Sequence, residues 1–387
     1  MVQHDESLDG SMDRDVRGGQ VLITGGAGFV GSHLADELLA AGYRVRVLDN
    51  LSEQVHGDDI ARPSYLDPEV ELVRGDVRDA AMVRRAVQGM DAVFHFAAAV
   101  GVGQSMYEIE RYTDVNNRGT AVLLEVLSTN PVRRLVVASS MSVYGEGLYR
   151  DARGELYSPP ERPLEQLRRG RWELLRNGES LVPVPTPEDK PLAPSSVYAL
   201  SKLDQERLCL MIGQAYGIPT VALRFFNIYG TRQALSNPYT GVLAIFAARY
   251  LNRRPPLVFE DGLQRRDFVS VHDVVRACRL ALETPDAAGQ TMNIGSGQSM
   301  TVLDVAAQMA AALGIDDLPP QVTGKYRTGD IRHCFADIAL AESTLGYRPR
   351  VQLRDGLREL VEWMLGQQAF DRVEAAAEEL ARRGLQQ

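Results

Sequence analysis

The chain has 387 residues, 45% of them hydrophobic and 24% charged, and a net charge of −9 from 42 basic and 51 acidic residues. This ordinary globular composition excludes collagen-like, coiled-coil and wholly disordered chains. The acidic balance and scattered arginine pairs argue against nucleic-acid binding, and no apolar run is long enough to cross a bilayer. Residues 1–19 are acidic where a secretory signal needs basic and apolar regions, which predicts a cytoplasmic protein.

Apolar strands alternate with helix-like segments over the first part of the chain, after a polar stretch at residues 1–18 that predicts a disordered tail. The strands are expected at QVLIT (20–24), YRVRVLDN (43–50), VELVRGD (70–76), DAVFHFAAA (91–99) and RRLVVASS (133–140). Such alternation is typical of a parallel sheet with helices on both faces. The sequence therefore predicts an α/β fold, a doubly wound parallel sheet of the Rossmann type.

The second part of the chain is less regular. Residues 145–194 are rich in Pro, Gly and Arg, and we expect either a small subdomain or an ordered flap. A long helix is predicted from about 196 to 216, followed by the strand TVALRFF (220–226). The predicted division is a dinucleotide-binding domain at 19–225, with the insert at 145–194, and a smaller α/β lobe at 226–365. About 267–295 is expected to return to the first domain, and an amphipathic helix is predicted over 366–387.

The cysteines give no pattern for a metal or a disulfide. Cys209, Cys278 and Cys334 are far apart, no CxxC occurs, and the insert 145–194 contains neither Cys nor His. We therefore expect buried thiols and no metal site.

A glycine motif lies between the first strand and the first helix. Gly25, Gly28 and Gly31 form G-x-x-G-x-x-G, and glycine permits both the turn dihedrals and a close approach of backbone to phosphate. The following helix would present free N–H groups to a pyrophosphate. Asp49 ends the next strand, where a carboxylate accepts hydrogen bonds from ribose hydroxyls and repels a 2′-phosphate. The context predicts a dinucleotide site that favours NAD over NADP.

A second motif opens the long predicted helix. Tyr198 and Lys202 are separated by four positions and therefore share a helical face, so the ammonium can lie near the phenol. A nearby cation favours phenolate, which would let Tyr198 exchange protons with a sugar hydroxyl at neutral pH. Ser139 and Ser140 end a parallel strand, where side chains face the ligand crevice. We expect Ser140, Tyr198 and Lys202 to be the catalytic residues.

Together these motifs resemble the extended short-chain dehydrogenase/reductase superfamily, in its nucleotide-sugar epimerase/dehydratase branch, over about residues 20–365. Further matching segments are GDVRD (75–79), HFAAA (95–99), VNNRGT (115–120), RFFN (224–227), QRRDF (264–268) and RTGD (327–330). The resemblance implies an NAD site made of Gly25, Gly28, Phe29, Val30, Gly31, Asp49, Asn50, Asp76, Val77, Phe96, Ala97, Ala98, Asn116, Tyr198, Lys202 and Phe225. It implies nucleotide-sugar contacts from Ser140, Asn227, Arg266, Arg327 and Asp330. Members often dimerise through the helices after the catalytic Ser and Tyr, so a homodimer is expected.

The residues after Ser140 bear on the reaction. Sugar-nucleotide 4,6-dehydratases carry Asp-Glu after their catalytic Thr, and related decarboxylases carry a Glu at the position of Ser142. Here Met141 and Ser142 follow Ser140, so both carboxylates are missing. The resemblance thus favours a 4-epimerase over dehydration or decarboxylation.

The segment AAVGVGQSMYEI (98–109), the insert and ALSNPYTGVLAIFA (234–247) look most like epimerases of dTDP-L-rhamnose. Val100, Val102, Met141 and Val143 could form an apolar wall for the methyl group of a 6-deoxy sugar, although ordinary core packing explains them equally well. A UDP-hexose 4-epimerase, a nucleotide-sugar 4-ketoreductase and a non-catalytic NAD-binding regulator stay as alternatives.

Overall fold

The computed structural model describes residues 18–57, 61–234, 241–315, 317–327, 329–366 and 373–386. Its strands are β1 (Gln20–Thr24), β2 (Arg44–Asp49), β3 (Glu71–Arg74), β4 (Ala92–His95), β5 (Arg134–Ser140), β6 (Leu148–Arg150), β7 (Leu156–Tyr157), β8 (Leu175–Arg176), β9 (Glu179–Ser180), β10 (Val182–Val184), β11 (Thr220–Phe225), β12 (Asn227–Tyr229), β13 (Leu257–Val258), β14 (Arg265–Arg266), β15 (Phe268–Ser270), β16 (Thr291–Ile294), β17 (Met300–Thr301), β18 (Gln321–Val322) and β19 (His333–Cys334).

The α-helices are α1 (Phe29–Ala40), α2 (Glu53–His56), α3 (Ala80–Val87), α4 (Val102–Ser105), α5 (Ile109–Tyr112), α6 (Gly119–Thr129), α7 (Leu164–Arg168), α8 (Val197–Tyr216), α9 (Val242–Leu251), α10 (Val271–Glu283), α11 (Val302–Leu313), α12 (Ala339–Leu345), α13 (Leu353–Leu365) and α14 (Val373–Arg382). A π-helical stretch at Thr113–Arg118 and 3₁₀ turns at Met141–Tyr144 and Pro285–Ala287 complete the helical elements of the described residues. None of the described helices is long and apolar enough to span a membrane.

A seven-stranded parallel sheet forms the centre, in the order β16-β11-β5-β4-β1-β2-β3. One face buries apolar side chains of α1, α10 and α12, and the other buries those of α3, α6 and α8. The strands are continuous apolar runs because both of their faces are covered. The predicted α/β, doubly wound Rossmann-type fold is therefore present.

The segment after Asp267 contributes to this central layer, because β16 pairs with β11 and α10 packs against α1. A smaller lobe has its own core, which α9, α11 and α13 share with β15. These placements agree with the predicted return of 267–295, although the domain boundaries themselves stay a prediction. The predicted tail lies outside the described residues except for Gly18, and so do 367–372 and 387 of the predicted terminal helix.

The insert is a small ordered unit in which β10, β6 and β7 form an antiparallel sheet and β8 pairs with β9. Ion pairs tie it to the smaller lobe. Arg162 of the insert contacts Glu260 at 2.8 Å, and Glu173 of the insert contacts the fully buried Arg332 at 2.5 Å. Within the lobe, Arg332 also contacts Asp261 at 2.7 Å and Glu260 at 2.9 Å. Of the two expectations for residues 145–194, the small subdomain is the better description.

Candidate active site

The glycine turn lies between β1 and α1 and closes one side of a cavity of about 740 Å³. Gly25 has φ +69°, and a Cβ there would lie 2.8 Å from the backbone nitrogen of Ala97. A Cβ on Gly31 would lie 2.5 Å from the carbonyl oxygen of Gly25. Helix α1 begins after Gly28 without a side-chain cap, so its N-terminus keeps N–H groups and positive dipole for a ligand. The geometry fits the pyrophosphate of a dinucleotide.

Asp49 lies at the end of β2, beside the glycine turn, and is 9% exposed. Its two carboxylate oxygens accept hydrogen bonds from the backbone N–H groups of Ala27 at 3.0 Å and Leu51 at 2.9 Å. These bonds fix the carboxylate, and each oxygen has a further lone pair for a ribose hydroxyl. The side chain thus suits the adenosine ribose of NAD.

Asp76 follows β3 and lines the same end of the cavity. It accepts hydrogen bonds from Arg78 at 2.7 Å and from the side-chain amide of Asn50 at 3.1 Å. The hydrogen bond from the Arg78 guanidinium is the main cause that lowers the pKa of Asp76 to about 2. Asp76 is therefore ionised at neutral pH and can accept hydrogen bonds from an adenine amino group.

The structure brings together all but one of the residues predicted for the cofactor. The cavity lining includes Gly25, Gly28, Phe29, Val30, Gly31, Asp49, Asn50, Asp76, Val77, Phe96, Ala97, Ala98, Tyr198, Lys202 and Phe225. The exception is Asn116, which is fully buried behind the wall. Its side chain bonds the backbone of Ala99 at 2.7 and 3.1 Å and the hydroxyl of Ser201 at 2.8 Å. Asn116 therefore braces the loop after β4 against α8, and the expected direct contact with the cofactor has no geometric support.

Ser140, Tyr198 and Lys202 meet on the wall formed by the end of β5 and the first turns of α8. The Ser140 side chain accepts hydrogen bonds from the N–H of Ser142 at 3.2 Å and from its hydroxyl at 2.9 Å. Ser196 caps α8 by accepting the N–H of Ala199 at 3.1 Å, which fixes where the helix begins. The three predicted catalytic side chains thus share one face of the cavity.

The protonation balance of Tyr198 and Lys202 differs from the expectation. Burial raises the pKa of Tyr198, although a hydrogen bond with Ser140 opposes the rise. Burial also lowers the pKa of Lys202 to about 8. Low polarity penalises phenolate and ammonium alike, so burial favours the neutral phenol, and helical spacing alone could not show this.

The predicted substrate residues do not all lie together. Asn227 lines the cavity, and its buried Oδ1 has no hydrogen-bond partner among the described residues. Arg266 instead donates to the carbonyl oxygens of Arg332, at 2.9 Å, and of Ile331.

Arg327 lies 4.3 Å above the ring of Phe259, and Asp330 lies 3.7 Å from Arg266. Arg266, Arg327 and Asp330 are absent from the described lining of this cavity, and their contacts with a substrate stay a prediction.

The predicted apolar wall is only partly present. Val100 and Val102 line the cavity and are 56% and 44% exposed. Val143 is completely buried and Met141 packs against Tyr144, and neither belongs to the described lining of the cavity. Both are held by the 3₁₀ turn after β5, which the sequence pattern did not reveal.

Sequence reasoning missed Gln233 and Gln205. Gln233 lines the cavity, is 6% exposed, and its Oε1 has no hydrogen-bond partner among the described residues. Gln205 is fully buried and accepts a hydrogen bond from Lys202 at 2.7 Å. Neither belongs to a motif, but Gln205 follows Lys202 by three positions, and that spacing on α8 was the available signal.

No group of three His, Cys, Asp or Glu side chains that could hold a metal ion occurs in the part of the chain that the structure describes. Cys209, Cys278 and Cys334 are buried and unpaired with one another. The insert also makes an aromatic contact with the smaller lobe: Trp172 packs against Tyr326, with ring centroids 6.2 Å apart.

Comparisons with known proteins agree with this geometry. The sequence model of the NAD dependent epimerase/dehydratase family matches residues 21–166 and 178–295. The dTDP-L-rhamnose 4-epimerase of Burkholderia thailandensis is 36% identical over 90% of this chain and 96% of its own length.

Two solved structures are also similar. The UDP-glucose 4-epimerase of Thermus thermophilus, solved with NAD, has a TM-score of 0.72 and 31% identity, over 90% of this chain and 100% of that one. The UDP-glucuronic acid 4-epimerase of Bacillus cereus, solved with UDP-glucuronic acid and NAD, has a TM-score of 0.73 and 27% identity, over 89% and 99%. The chain therefore belongs to the NAD dependent epimerase/dehydratase family, as an NAD-using isomerase of the nucleotide-sugar 4-epimerase type.

Proposed function

We propose that the chain interconverts the C4 epimers of a dTDP-activated 6-deoxyhexose, of the type dTDP-L-rhamnose and dTDP-6-deoxy-L-talose. The observation that carries the proposal is the placement of Ser140, Tyr198 and Lys202 on the wall of the cavity that the glycine turn closes, where the described lining has no carboxylate beside Ser140. These groups suffice to remove and return a hydroxyl proton at C4.

The acidic side chains of the cavity argue against dehydration. Among the described residues, its lining contains two carboxylates, Asp49 and Asp76. Asp49 ends β2 and Asp76 follows β3, and these strands are three and four positions away from the strand that ends in Ser140. Adjacent strands are about 4.8 Å apart, so roughly 14 Å separates the nearer carboxylate from the catalytic wall. Loss of water needs an acid and a base at the sugar, and Ser142 supplies only a hydroxyl that binds Ser140.

The proton at C4 is handled by Tyr198. As phenolate, Tyr198 takes the proton of the C4 hydroxyl, and Ser140 donates a hydrogen bond to the same oxygen as the ketone forms. NAD, when bound, supplies the hydride acceptor and donor for C4. The 4-keto sugar then turns about its bonds to the diphosphate, and Tyr198 returns the proton to the opposite epimer.

Lys202 favours the phenolate because its ammonium lies on the same face of α8. The lysine must therefore stay charged although burial lowers its pKa to about 8. Asn227, which the resemblance predicts to contact the nucleotide sugar, lines the cavity, and its amide group can donate to a phosphate oxygen while the sugar turns.

The preference for a deoxy sugar rests on Val100 and Val102. Large apolar side chains with 56% and 44% exposure inside a ligand cavity suit a methyl group better than a hydroxymethyl group. The 36% identity with a dTDP-L-rhamnose 4-epimerase supports the same sugar.

We also propose a homodimer through α6 and α8. Val122, Leu208 and Ile212 are only partly buried against the sheet core, and Leu200 and Met211 are 50% and 63% exposed. A pair of such helices from each of two copies would cover this apolar surface.

The test has two parts. The protein is purified without added cofactor and denatured, and the released nucleotide is identified. Fresh protein is then incubated with dTDP-L-rhamnose, and in parallel with UDP-glucose, while the sugar is followed by NMR. We expect stoichiometric NAD and a new C4 epimer of dTDP-L-rhamnose without external cofactor.

Three other outcomes would contradict parts of the proposal. Turnover of UDP-glucose alone would replace the deoxy sugar by a UDP-hexose. Formation of NADH from added NAD, as the C4 hydroxyl is oxidised without a C4 epimer appearing, would identify a 4-ketoreductase running in reverse. Bound NAD without turnover of either sugar would favour a non-catalytic NAD-binding protein.

A further inference from the structure

A buried amide holds the catalytic lysine. Lys202 donates a hydrogen bond from Nζ to the Oε1 of Gln205 at 2.7 Å, and the two side chains are 3% and 0% exposed. An ammonium has only donors, so the amide must present its oxygen to Lys202 and its nitrogen to the opposite side. Among the described residues, Gln205 is the protein group that accepts a hydrogen bond from this ammonium.

The nitrogen of the amide is also held. Gln205 Nε2 donates to Thr120 Oγ1 at 2.9 Å and lies 3.4 Å from the carbonyl oxygen of Ala97. Thr120 uses its own proton on the carbonyl oxygen of Asn116, at 2.6 Å. The Thr120 oxygen is therefore free to accept, and the amide of Gln205 cannot flip without losing bonds at both ends.

His95 closes the chain of hydrogen bonds. Its Nε2 lies 2.8 Å from Thr120 Oγ1 and 3.2 Å from Gln205 Nε2. Its Nδ1 lies 2.8 Å from Thr24 Oγ1, which accepts the N–H of Ala97 at 3.2 Å. Burial lowers the pKa of His95 to about 3, so the ring is neutral at neutral pH. These contacts connect Thr24, the residue before the glycine turn, with the catalytic Lys202.

We propose that Gln205 is a positioning residue that keeps Lys202 charged and directed to the catalytic wall. Among the described residues, the other groups near the ammonium accept no hydrogen bond from it. His95 is neutral, and burial raises the pKa of the Cys209 thiol further along α8.

The charge of Glu206 also favours the charged form of Lys202, but its carboxylate is engaged in a buried ion pair with Arg224 of β11, at 2.7 Å. A buried ammonium without an acceptor loses its proton readily, so the amide oxygen sets the pH at which Lys202 ceases to support Tyr198.

Three variants separate this role from a merely structural one. Gln205→Met keeps the shape and removes the acceptor, Gln205→Glu replaces it by a charged acceptor, and the control Thr120→Val cuts the network beyond the amide. A hydrogen bond to a charged group corresponds to about one pH unit. We expect the alkaline limb of the kcat–pH profile to move down by about one unit in Gln205→Met and up by about one unit in Gln205→Glu.

Thr120→Val should lower the melting temperature and leave that limb within about 0.3 unit of the parent. Equal profiles in all variants, or the same displacement in Thr120→Val as in Gln205→Met, would overturn the inference. Should Gln205→Met fail to fold, the upward displacement in Gln205→Glu decides the matter, because a structural defect would not raise the limb.

Because the profile is measured by turnover, the inference in that form rests on the proposed function. Lys202 is therefore also titrated directly, by the pH dependence of its acetylation with acetic anhydride, followed by mass spectrometry, because only the neutral amine attacks the anhydride. The same order of midpoints without turnover of any nucleotide sugar would refute the proposed function and uphold the role of Gln205. Identical midpoints in the parent and in both Gln205 variants would refute that role alone.

Discussion

The cofactor side and the substrate side of the cavity are built in different ways. The glycine turn, Asp49 and Asp76 all follow strands of one parallel sheet, and parallel strands place their carboxyl ends at a shared edge. Arg266 and Arg327 belong to the smaller lobe, in a short strand and a loop whose positions depend on packing. The sequence motifs therefore predict where the cofactor-side residues lie in the fold. For Arg266 and Arg327 on the substrate side, the motifs indicate the type of residue but not its position relative to the cavity.

The largest effect is expected where both sides meet, at Tyr198. Tyr198→Phe removes the proton carrier and leaves the ring packing against Tyr112 intact. We expect kcat to fall by about 10² to 10⁴, the range of general acid–base catalysis, with NAD content and melting temperature unchanged. Turnover by NMR, together with nucleotide release, measures this. Near-parental kcat would remove Tyr198 from the mechanism.

The next effect concerns the cofactor side alone. In Gly31→Ala the new Cβ would lie 2.5 Å from both the carbonyl oxygen of Gly25 and the Cα of Gly26. Both are backbone atoms of the turn, so the clash can be relieved only if the turn itself moves. We expect the turn to open and the NAD retained on purification to fall at least about tenfold, since the pyrophosphate depends on the turn.

The matched control is Gly42→Ala at the end of α1. Gly42 has φ +84°, but a Cβ there meets no atom within 4 Å. The change costs about 1 kcal/mol through backbone strain and leaves the cofactor in place. Equal NAD content in the two variants would show that the close approach at Gly31 is unimportant.

A smaller effect compares the two sides directly. Asn227 lies on the cavity wall, whereas the guanidinium of Arg266 donates hydrogen bonds to the backbone carbonyls of residues 331 and 332. We expect Asn227→Ala to raise the KM for the nucleotide sugar about tenfold, the worth of one hydrogen bond to a charged group. Arg266→Met should raise KM less than about threefold while lowering thermal stability. The reverse order would mean that the smaller lobe closes on the substrate and brings Arg266 to it.

The same contrast explains what the sequence could predict. The parallel sheet, the glycine turn and the catalytic wall follow from local patterns together with the fixed geometry of strands and helices. The positions of Val143 and Asn116 could not be derived, because a 3₁₀ turn and a bracing hydrogen bond, both set by tertiary contacts, decide which way each side chain lies. The role of the insert was equally hidden, since the buried Arg332 joins acidic residues from segments far apart in the sequence.

The smallest effect concerns the stability of the cofactor side before any ligand binds. Because the hydrogen bond from Arg78 lowers the pKa of Asp76 to about 2, the pair stabilises the fold fully above about pH 5. That contribution is lost as the pH falls through about 4 toward 2, where the carboxylate takes up a proton. Both side chains are partly exposed, 33% for Arg78 and 26% for Asp76, so solvent screening limits the contribution to about 1 kcal/mol.

Asp76→Asn should therefore lower the free energy of unfolding at about pH 7 and cost progressively less below about pH 4. Urea unfolding at a series of pH values measures the difference, with the exposed Asp286→Asn as the control that alters charge equally. A difference that does not change with pH would mean that Asp76 acts through packing and not through its charge. In that case the charge of Asp76 would not contribute to the stability of the fold, and binding to adenine would not weaken it. The glycine turn and Asp49 would then be the groups that order the cofactor side.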